Sequence, residues 1–447
     1  MSAKLRALIL AEWANPESSS VALIGWSLAQ ALGRRVDVHL VTRAENAVPI
    51  GRAGWREGKD FTAIDTSRVN RPVARIEDAA RKAGFGWTLS TALSAVPHAW
   101  FEHLTWRRFG DAIRRRDFDV VHRITPVSPT VPSSLAPRCK AAGTPFVLGP
   151  LNGGVPWPKE FRGALHTEGE WLSYLRGAHR LVPGYRATRL ASSAILTGSE
   201  HLWGELRAHR ERCVYMPENA IDPARVHAER GPREAGPLRV AFVGRLVAYK
   251  GADMLVEAAA PLIRSGRMTL DFIGDGPQMG SLRKQIHAEG IQGGVTMAGW
   301  IHDQRQVAPR LSRADVFGFP SVREFGGGAV LEAMALGLAP VIVDYAGPRE
   351  LVTDRTGFRV PIGPRHSIVA GFRRILGELA AHPERAREVG ERARARVLRH
   401  FTWDVKVAQI LEVYEWVLGR RERPDFGMPF PDADEERGAA SSVTRTA

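Results

Sequence analysis

The sequence predicts an α/β protein of two doubly wound domains, each built on a parallel sheet, and three observations carry that expectation. β-α-β patterns open both halves of the chain, one at Leu5–Val41 and another from Leu238. A polar stretch rich in Arg, Glu, Gly and Pro, Arg225 to Pro237, separates them as a linker would. The chain has 447 residues, and a single hydrophobic core stops growing near roughly 250 to 300 residues.

Composition narrows the class before any motif is read. Charged residues at 25% and hydrophobic ones at 44% are those of a soluble globular protein. No apolar run approaches the roughly 20 residues of a membrane span. Leu5–Leu10 is apolar but meets acidic and polar residues at once, so no signal peptide is expected. Cys139 and Cys213 form neither a disulfide framework nor a metal-ligand spacing, which fits a reducing cytoplasm. The net charge of +14 raises nucleic acid as a partner. Its arginines are spread along the chain, with denser runs at Arg107-Arg108, Arg114–Arg116 and Arg385–Arg399. No zinc-finger spacing, aromatic RNA-binding motif or basic heptad helix accompanies them, so no nucleic acid is expected. Such charge suits a weak, salt-sensitive contact with anionic lipid at the inner face of a membrane.

In the first half, Leu5–Glu12 reads as a strand, Val21–Leu32 as a helix and Val36–Val41 as the next strand. Between them, Ser19 and Ser20 stand where a hydroxyl either caps a helix or meets an anion. Ala79–Arg116 reads as helical, with Trp87, Trp100, Phe101, Trp106 and Phe109 as a core stripe or the lining of an acceptor groove. Asp119–His122 reads as the end of a strand, which leaves His122 open to a structural or a chemical role. Pro145–Leu148 begins another strand and leads into Gly149–Gly154; a loop there faces the ligand crevice of an open α/β sheet, so Asn152 and Gly153 are site candidates. Ala191–Gly198 is a further strand.

In the second half, Leu238–Val243 is a strand, Gly244-Arg245 a turn, and Lys250-Gly251 precedes a helix over Ala252–Leu262. Leu270–Ile273 and Val295–Ala298 follow as strands, the latter running into Gly299-Trp300-Ile301. Val316–Phe319 is a strand stopped by Pro320, which cannot donate to a ladder. A loop carries Glu324, Phe325 and the glycines Gly326, Gly327 and Gly328. Ala329–Leu336 then reads as a helix with Gly337 as its C-cap, and Pro340–Val343 as the next strand. This unit points bare N–H groups and a helix dipole at one spot, which suits phosphate. Glu324 and Glu332 bracket it, and an ionised carboxylate accepts from two hydroxyls at once. Eight helical positions span about 12 Å, more than the roughly 5 to 9.5 Å of a glycosidase pair, so two grips on an extended ligand fit better. The chain has no G-x-G-x-x-G after either first strand, which argues against a dinucleotide oxidoreductase.

Glu324-x7-Glu332 followed by Ala333-Met334-Ala335-x-Gly337-x-x-Pro340-Val341 resembles the donor-site signature of family 4 retaining glycosyltransferases. That family has the GT-B fold, two Rossmann-like domains facing across a cleft. Gly244-Arg245-x4-Lys250-Gly251 matches its G-R-x4-K-G motif, and Asn219 and Asp222 match its interdomain segment, with Ala220 for a glycine. The resemblance covers roughly residues 1 to 420. It implies an acceptor-side domain over 1–222, a linker over 223–237, a donor domain over 238–403, a helix over 404–420 packing back on the first domain, and a disordered tail over 421–447.

By the same resemblance, the activity is transfer of a sugar from a nucleotide diphosphate-sugar to an acceptor hydroxyl, with retained configuration. A saccharide or lipid-linked acceptor and polysaccharide or glycoconjugate synthesis are implied. Arg245 and Lys250 would clamp the diphosphate, Glu324 the sugar hydroxyls and Glu332 the ribose. Gly244, Phe325, Gly326, Gly327, Gly328, Gly299 and Ile301 would line the donor, while Ser19, Ser20, Asn152 and Gly153 would face the acceptor and His122 the chemistry. No cofactor is expected. No metal is expected either: Asp117-Phe118-Asp119, the one Asp-x-Asp of the folded part, lies on the N-terminal side of its strand, away from the crevice. Three departures stand out. The glycine pair after the first strand is missing, the second histidine is Ile124, and the common E-G-F-G reads Glu324-Phe325-Gly326-Gly327. A partner protein that binds sugar nucleotides without transfer is the competing class.

Overall fold

A computed structural model of the chain describes residues 4–82, 87–161, 181–226, 228, 231, 235–301 and 306–431. They divide into two compact units, and neither is one continuous piece of chain. The first holds residues 4–154, 181–218 and 403–426; the second holds 155–161, the described residues of 219–402, and 427–431.

The first unit is built on a seven-stranded sheet in the order β3-β2-β1-β4-β5-β6-β7. Its strands are β1 (Arg6–Ala11), β2 (Asp37–Arg43), β3 (Phe61–Ile64), β4 (Val120–Thr125), β5 (Phe146–Leu151), β6 (Ala194–Thr197) and β7 (Cys213–Tyr215). Every pairing is parallel. β1 and β5 are almost continuously apolar and buried, as strands covered on both faces must be, and β4 is buried throughout although it carries His122, Arg123 and Thr125. Around the expected helix over 79–116, the described residues are helical over Ser67–Lys82 and Trp87–Arg114. Phe101 is fully buried, and Trp106 and Phe109 pack against the same cluster as Val121, Phe146 and Leu148, so these three are core, while Trp100 is half-buried and stacks on His103. The side chain of Trp87 lies outside the described residues.

Folding buries a polar knot beside that core. His98 reaches Glu12 Oε2 from Nδ1 at 2.8 Å and Glu102 Oε1 from Nε2 at 3.3 Å, so its ring sits between two carboxylates. Ser133 Oγ donates to Glu102 at 2.6 Å, and Arg123, wholly buried on β4, donates to the Val131 carbonyl. Burial pushes the Glu102 carboxyl up, but the His98 charge and hydrogen bond, Arg123 and Ser133 outweigh it and hold the group at about 2. Burial would strip His98 of its proton; the two carboxylates reverse that and raise its pKa.

The second unit carries a six-stranded parallel sheet in the order β10-β9-β8-β11-β12-β13. The strands are β8 (Leu238–Val243), β9 (Met268–Ile273), β10 (Val295–Gly299), β11 (Val316–Phe319), β12 (Ala339–Asp344) and β13 (Phe358–Pro361). Helices 252–264, 365–381 and 383–400 pack against it and one another. Two expectations for chain organisation need correction. Residues 155–161 belong with the second unit although they follow β5 directly. The tail was expected to be disordered from about residue 421, but Phe430 is buried between Phe401 and His400, and its carbonyl accepts from Arg396 Nη2 at 2.8 Å. An apolar anchor and a buried guanidinium hold it there. Six of the fifteen residues of the expected linker, and all residues beyond 431, lie outside the described residues.

Candidate active site

In open α/β sheets ligands bind at the carboxyl ends of the strands where the strand order reverses. In the second unit the chain moves outward from β8 through β9 to β10, then returns to the other side of β8 with β11. The loops after β8 and β11 are therefore neighbours, and they carry Lys250 and Glu324.

After β8, Gly244 adopts φ 151° and Arg245 is exposed, its guanidinium making no ion pair or hydrogen bond among the described residues. A short turn over Ala248–Lys250 ends at Gly251, φ 70°, which starts helix Ala252–Arg264. The β11 loop is stitched to that turn: Val322 N donates to the Tyr249 carbonyl at 2.9 Å, and Ser321 Oγ to the same oxygen at 3.2 Å. Lys250 Nζ then donates to Glu324 Oε2 as an ion pair, with side chains only 15% and 18% exposed. The ammonium also stands 4.9 Å from the centre of the Phe319 ring.

The loop beyond Glu324 is held by close backbone packing. Gly347 N donates to the Glu324 carbonyl at 3.1 Å, and a Cβ on Gly347 would lie 1.8 Å from the Phe325 carbonyl oxygen. Only glycine fits. Phe325 is turned to the Arg323 guanidinium, 5.1 Å from its ring centre, while Trp157 takes that guanidinium at 4.8 Å. The aromatic one place early is thus committed to a cation–π stack. Gly327, φ 60°, starts helix Gly328–Ala335, so the first N–H groups of that helix begin three residues past Glu324. Asn219 lies against Gly328. Glu332, half-buried on the second turn, has its carboxyl raised by burial, with Arg225 pulling the other way. Farther along the edge, Gly274 N donates to the Gly299 carbonyl at 2.9 Å, and Gly244 N to that of Ile273 at 3.0 Å. Gly299 has φ 72°, Ile301 is half-buried, and Trp300 between them is 50% exposed. Gly244, Arg245, Lys250, Gly299, Ile301, Glu324–Gly328 and Glu332 all fall in the second unit. The set offers a cation, carboxylates and free N–H groups, which suits an anion that carries hydroxyls.

The candidates in the first half behave differently. His122 is not at a strand end but third in β4, paired with Ile9 on one side and Val147 on the other. It is fully buried, with Nε2 2.6 Å from the Gly149 carbonyl and Nδ1 2.7 Å from the Tyr414 hydroxyl. Nε2 therefore carries the proton and Nδ1 accepts. Burial lowers its pKa to about 4, against the Gly149 bond. A neutral ring with both nitrogens occupied corrects the expected chemical role: His122 braces the sheet. Ser19 accepts no capping bond, which corrects the capping reading, and both Ser19 and Ser20 are exposed at the start of helix Ser20–Gly33. Ser20 takes φ 56°, a left-handed conformation that glycine adopts freely. Asn152 is spent on contacts within the first unit, donating to Glu218 at 2.7 Å and accepting from Gly153 N at 2.7 Å. Among the described residues, no cluster of three His, Cys, Asp or Glu side chains is placed to hold a metal. Asp119 accepts from Arg6 N, and Asp117 pairs with Arg115. No described helix is long and apolar enough to cross a membrane.

The motif reading missed the direct Lys250–Glu324 pairing, which needs the strand order, and Trp157, whose one sequence signal was an indole set between prolines just after Gly153-Gly154.

Two parallel-sheet α/β units with this switch-point site define the GT-B class. The Anabaena protein HepE, crystallised with UDP, superposes with a TM-score of 0.61 at 15% identity, over 92% of this chain and 99% of its own. In sequence, the family of glycosyl transferases group 1 matches residues 237–378. The alpha-maltose-1-phosphate synthase of Mycobacterium tuberculosis is 30% identical over 286 residues, 59% of this chain and 70% of the relative. That of Mycolicibacterium smegmatis is 32% identical over 228 residues, 44% of this chain and only 58% of the relative. The chain belongs to the glycosyl transferases group 1 family.

Proposed function

We propose that the protein is a family 4 retaining glycosyltransferase, moving a sugar from a nucleotide diphosphate-sugar to an acceptor hydroxyl. The observation that carries this reading is the Lys250–Glu324 pair, with the N-terminus of helix Gly328–Ala335 following Glu324 in the chain. Arg245 and Lys250 hold the diphosphate, the N–H groups at Gly327 and Gly328 take a phosphate or sugar oxygen, Glu324 the sugar hydroxyls and Glu332 the ribose. With a donor in place, Lys250 exchanges part of its contact with Glu324 for phosphate. The bond from the anomeric carbon to the diphosphate oxygen breaks, the acceptor oxygen bonds that carbon from the same face, and the acceptor proton passes to the departing phosphate. Catalysis is then charge stabilisation and positioning, with no covalent intermediate, metal or cofactor. A saccharide or lipid-linked acceptor, cytoplasmic residence and a weak, salt-sensitive contact with an anionic membrane complete the reading.

A thermal-shift panel of UDP-, GDP- and ADP-sugars against the wild type and Glu332→Ala tests it, since a ligand of the native state raises the midpoint with its affinity. One nucleotide sugar should stabilise the wild type and lose most of that effect in the variant. Failure of all of them, with a response to NAD or DNA, overturns the reading. Binding without transfer or hydrolysis would instead mark a non-catalytic partner protein.

A further inference from the structure

We infer that Trp157 is a donor-binding residue whose indole N–H bonds an oxygen of the nucleotide sugar, an inference that rests on the donor reading above. Three observations converge. The segment 155–161 belongs to the second unit, and the Tyr345 hydroxyl, just past the carboxyl end of β12, donates to the Pro156 carbonyl at 2.7 Å. That straps Trp157 across the sheet edge where the candidate site lies. There the Trp157 ring meets Tyr249 edge-on, at 6.1 Å and 87°, and Tyr249 adjoins Lys250 in sequence; on its other contact it covers Arg323, which adjoins Glu324. Trp157 is thus wedged between the neighbours of both members of the ion pair. Finally, the side chain is only 8% exposed, yet Nε1 has no hydrogen-bond partner.

A buried indole N–H normally finds an acceptor, and leaving a donor unmet costs about 1–3 kcal/mol. The side chains packed on Trp157 are the Tyr249 ring and the Arg323 guanidinium, neither of which offers a hydrogen-bond acceptor in its plane, so a ligand oxygen supplies the missing acceptor. The cation–π contact with Arg323 fixes the ring plane, which leaves the N–H direction preset for that oxygen. Sugar hydroxyls and phosphate oxygens share this acceptor chemistry.

Trp157→Phe keeps an aromatic ring against Arg323 and removes the N–H together with the indole's second ring. Calorimetric titration of wild type and variant with a nucleoside diphosphate and with the matching nucleotide sugar separates the two oxygens. Nucleotide-sugar affinity about tenfold lower, with the diphosphate unchanged, places the bond on the sugar; equal loss on both places it on phosphate. Unchanged affinity for both overturns the proposal while the donor reading stands, whereas a wild type that binds no nucleotide sugar overturns both. If the variant does not fold, indole proton exchange in wild-type protein labelled with nitrogen-15 at tryptophan gives the answer. Slower exchange at Trp157 with ligand supports the bond, and unchanged exchange overturns it.

Discussion

At the scale of single residues, two ionisable sites carry testable pH behaviour. In its proposed role Glu332 would accept ribose hydroxyls best when ionised, and burial raises its pKa. Donor affinity should therefore weaken as pH falls through that raised value, by about tenfold per unit below it. Glu332→Gln should bind more weakly and show a flat profile, as calorimetry across pH would check. The buried Glu12–His98–Glu102 knot acts on stability instead. Glu102 titrates at about 2 in the folded chain, below its ordinary 4.5, so its contribution is complete above 4.5 and lost as pH falls toward 2. His98 is shifted upward, so its contribution is complete below 6.5 and lost as pH rises through the folded value. Melting temperature should thus decline on both flanks, and His98→Gln should remove the alkaline one. The motif carboxylates were readable in sequence because glycine spacing marks them. This knot was not, since Glu12, His98, Glu102 and Arg123 are far apart along the chain and only packing brings them together.

At the scale of elements, strand length decided one correction. Three residues of β4 lie beyond His122, and sequence alone did not show whether the strand ended at the histidine or passed it. With the ring buried, its bond to Tyr414 ties β4 to helix Trp403–Val417. Tyr414→Phe should cost about 1 kcal/mol, lowering the melting temperature with donor affinity untouched; a loss of affinity instead would reopen a chemical role for His122. Helices Arg365–Ala381 and Pro383–His400 escaped the sequence reading because their outer faces are dense in arginine and glutamate, so the apolar stripe that packs them is narrow. The second-unit strands were easier, being short apolar runs that end in Gly, Pro or a charged turn.

At the scale of the molecule, two domains were legible, but their membership was not. Residues 155–161 and 427–431 join the second unit and 403–426 the first, because contacts rather than sequence order define them. Within the first unit, Val407, Ile410, Val413 and Tyr414 are buried, and Lys406 Nζ donates to the Pro217 carbonyl. A fragment ending at residue 218 should therefore fail to fold, showing collapsed amide dispersion and rapid proteolysis, unless a peptide covering 403–426 is supplied. A stable, dispersed fragment without that peptide would refute this.

The same interleaving sets an order of events during synthesis. The sheet of the first unit is fully translated by residue 215, yet the helix that covers Ile410 and Tyr414 against it follows some two hundred residues later. The second sheet, complete at residue 361, can close first. The unit begun earliest on the ribosome lacks its last helix until after the second sheet has been made, and through that interval its β4 histidine waits without the tyrosine that completes it.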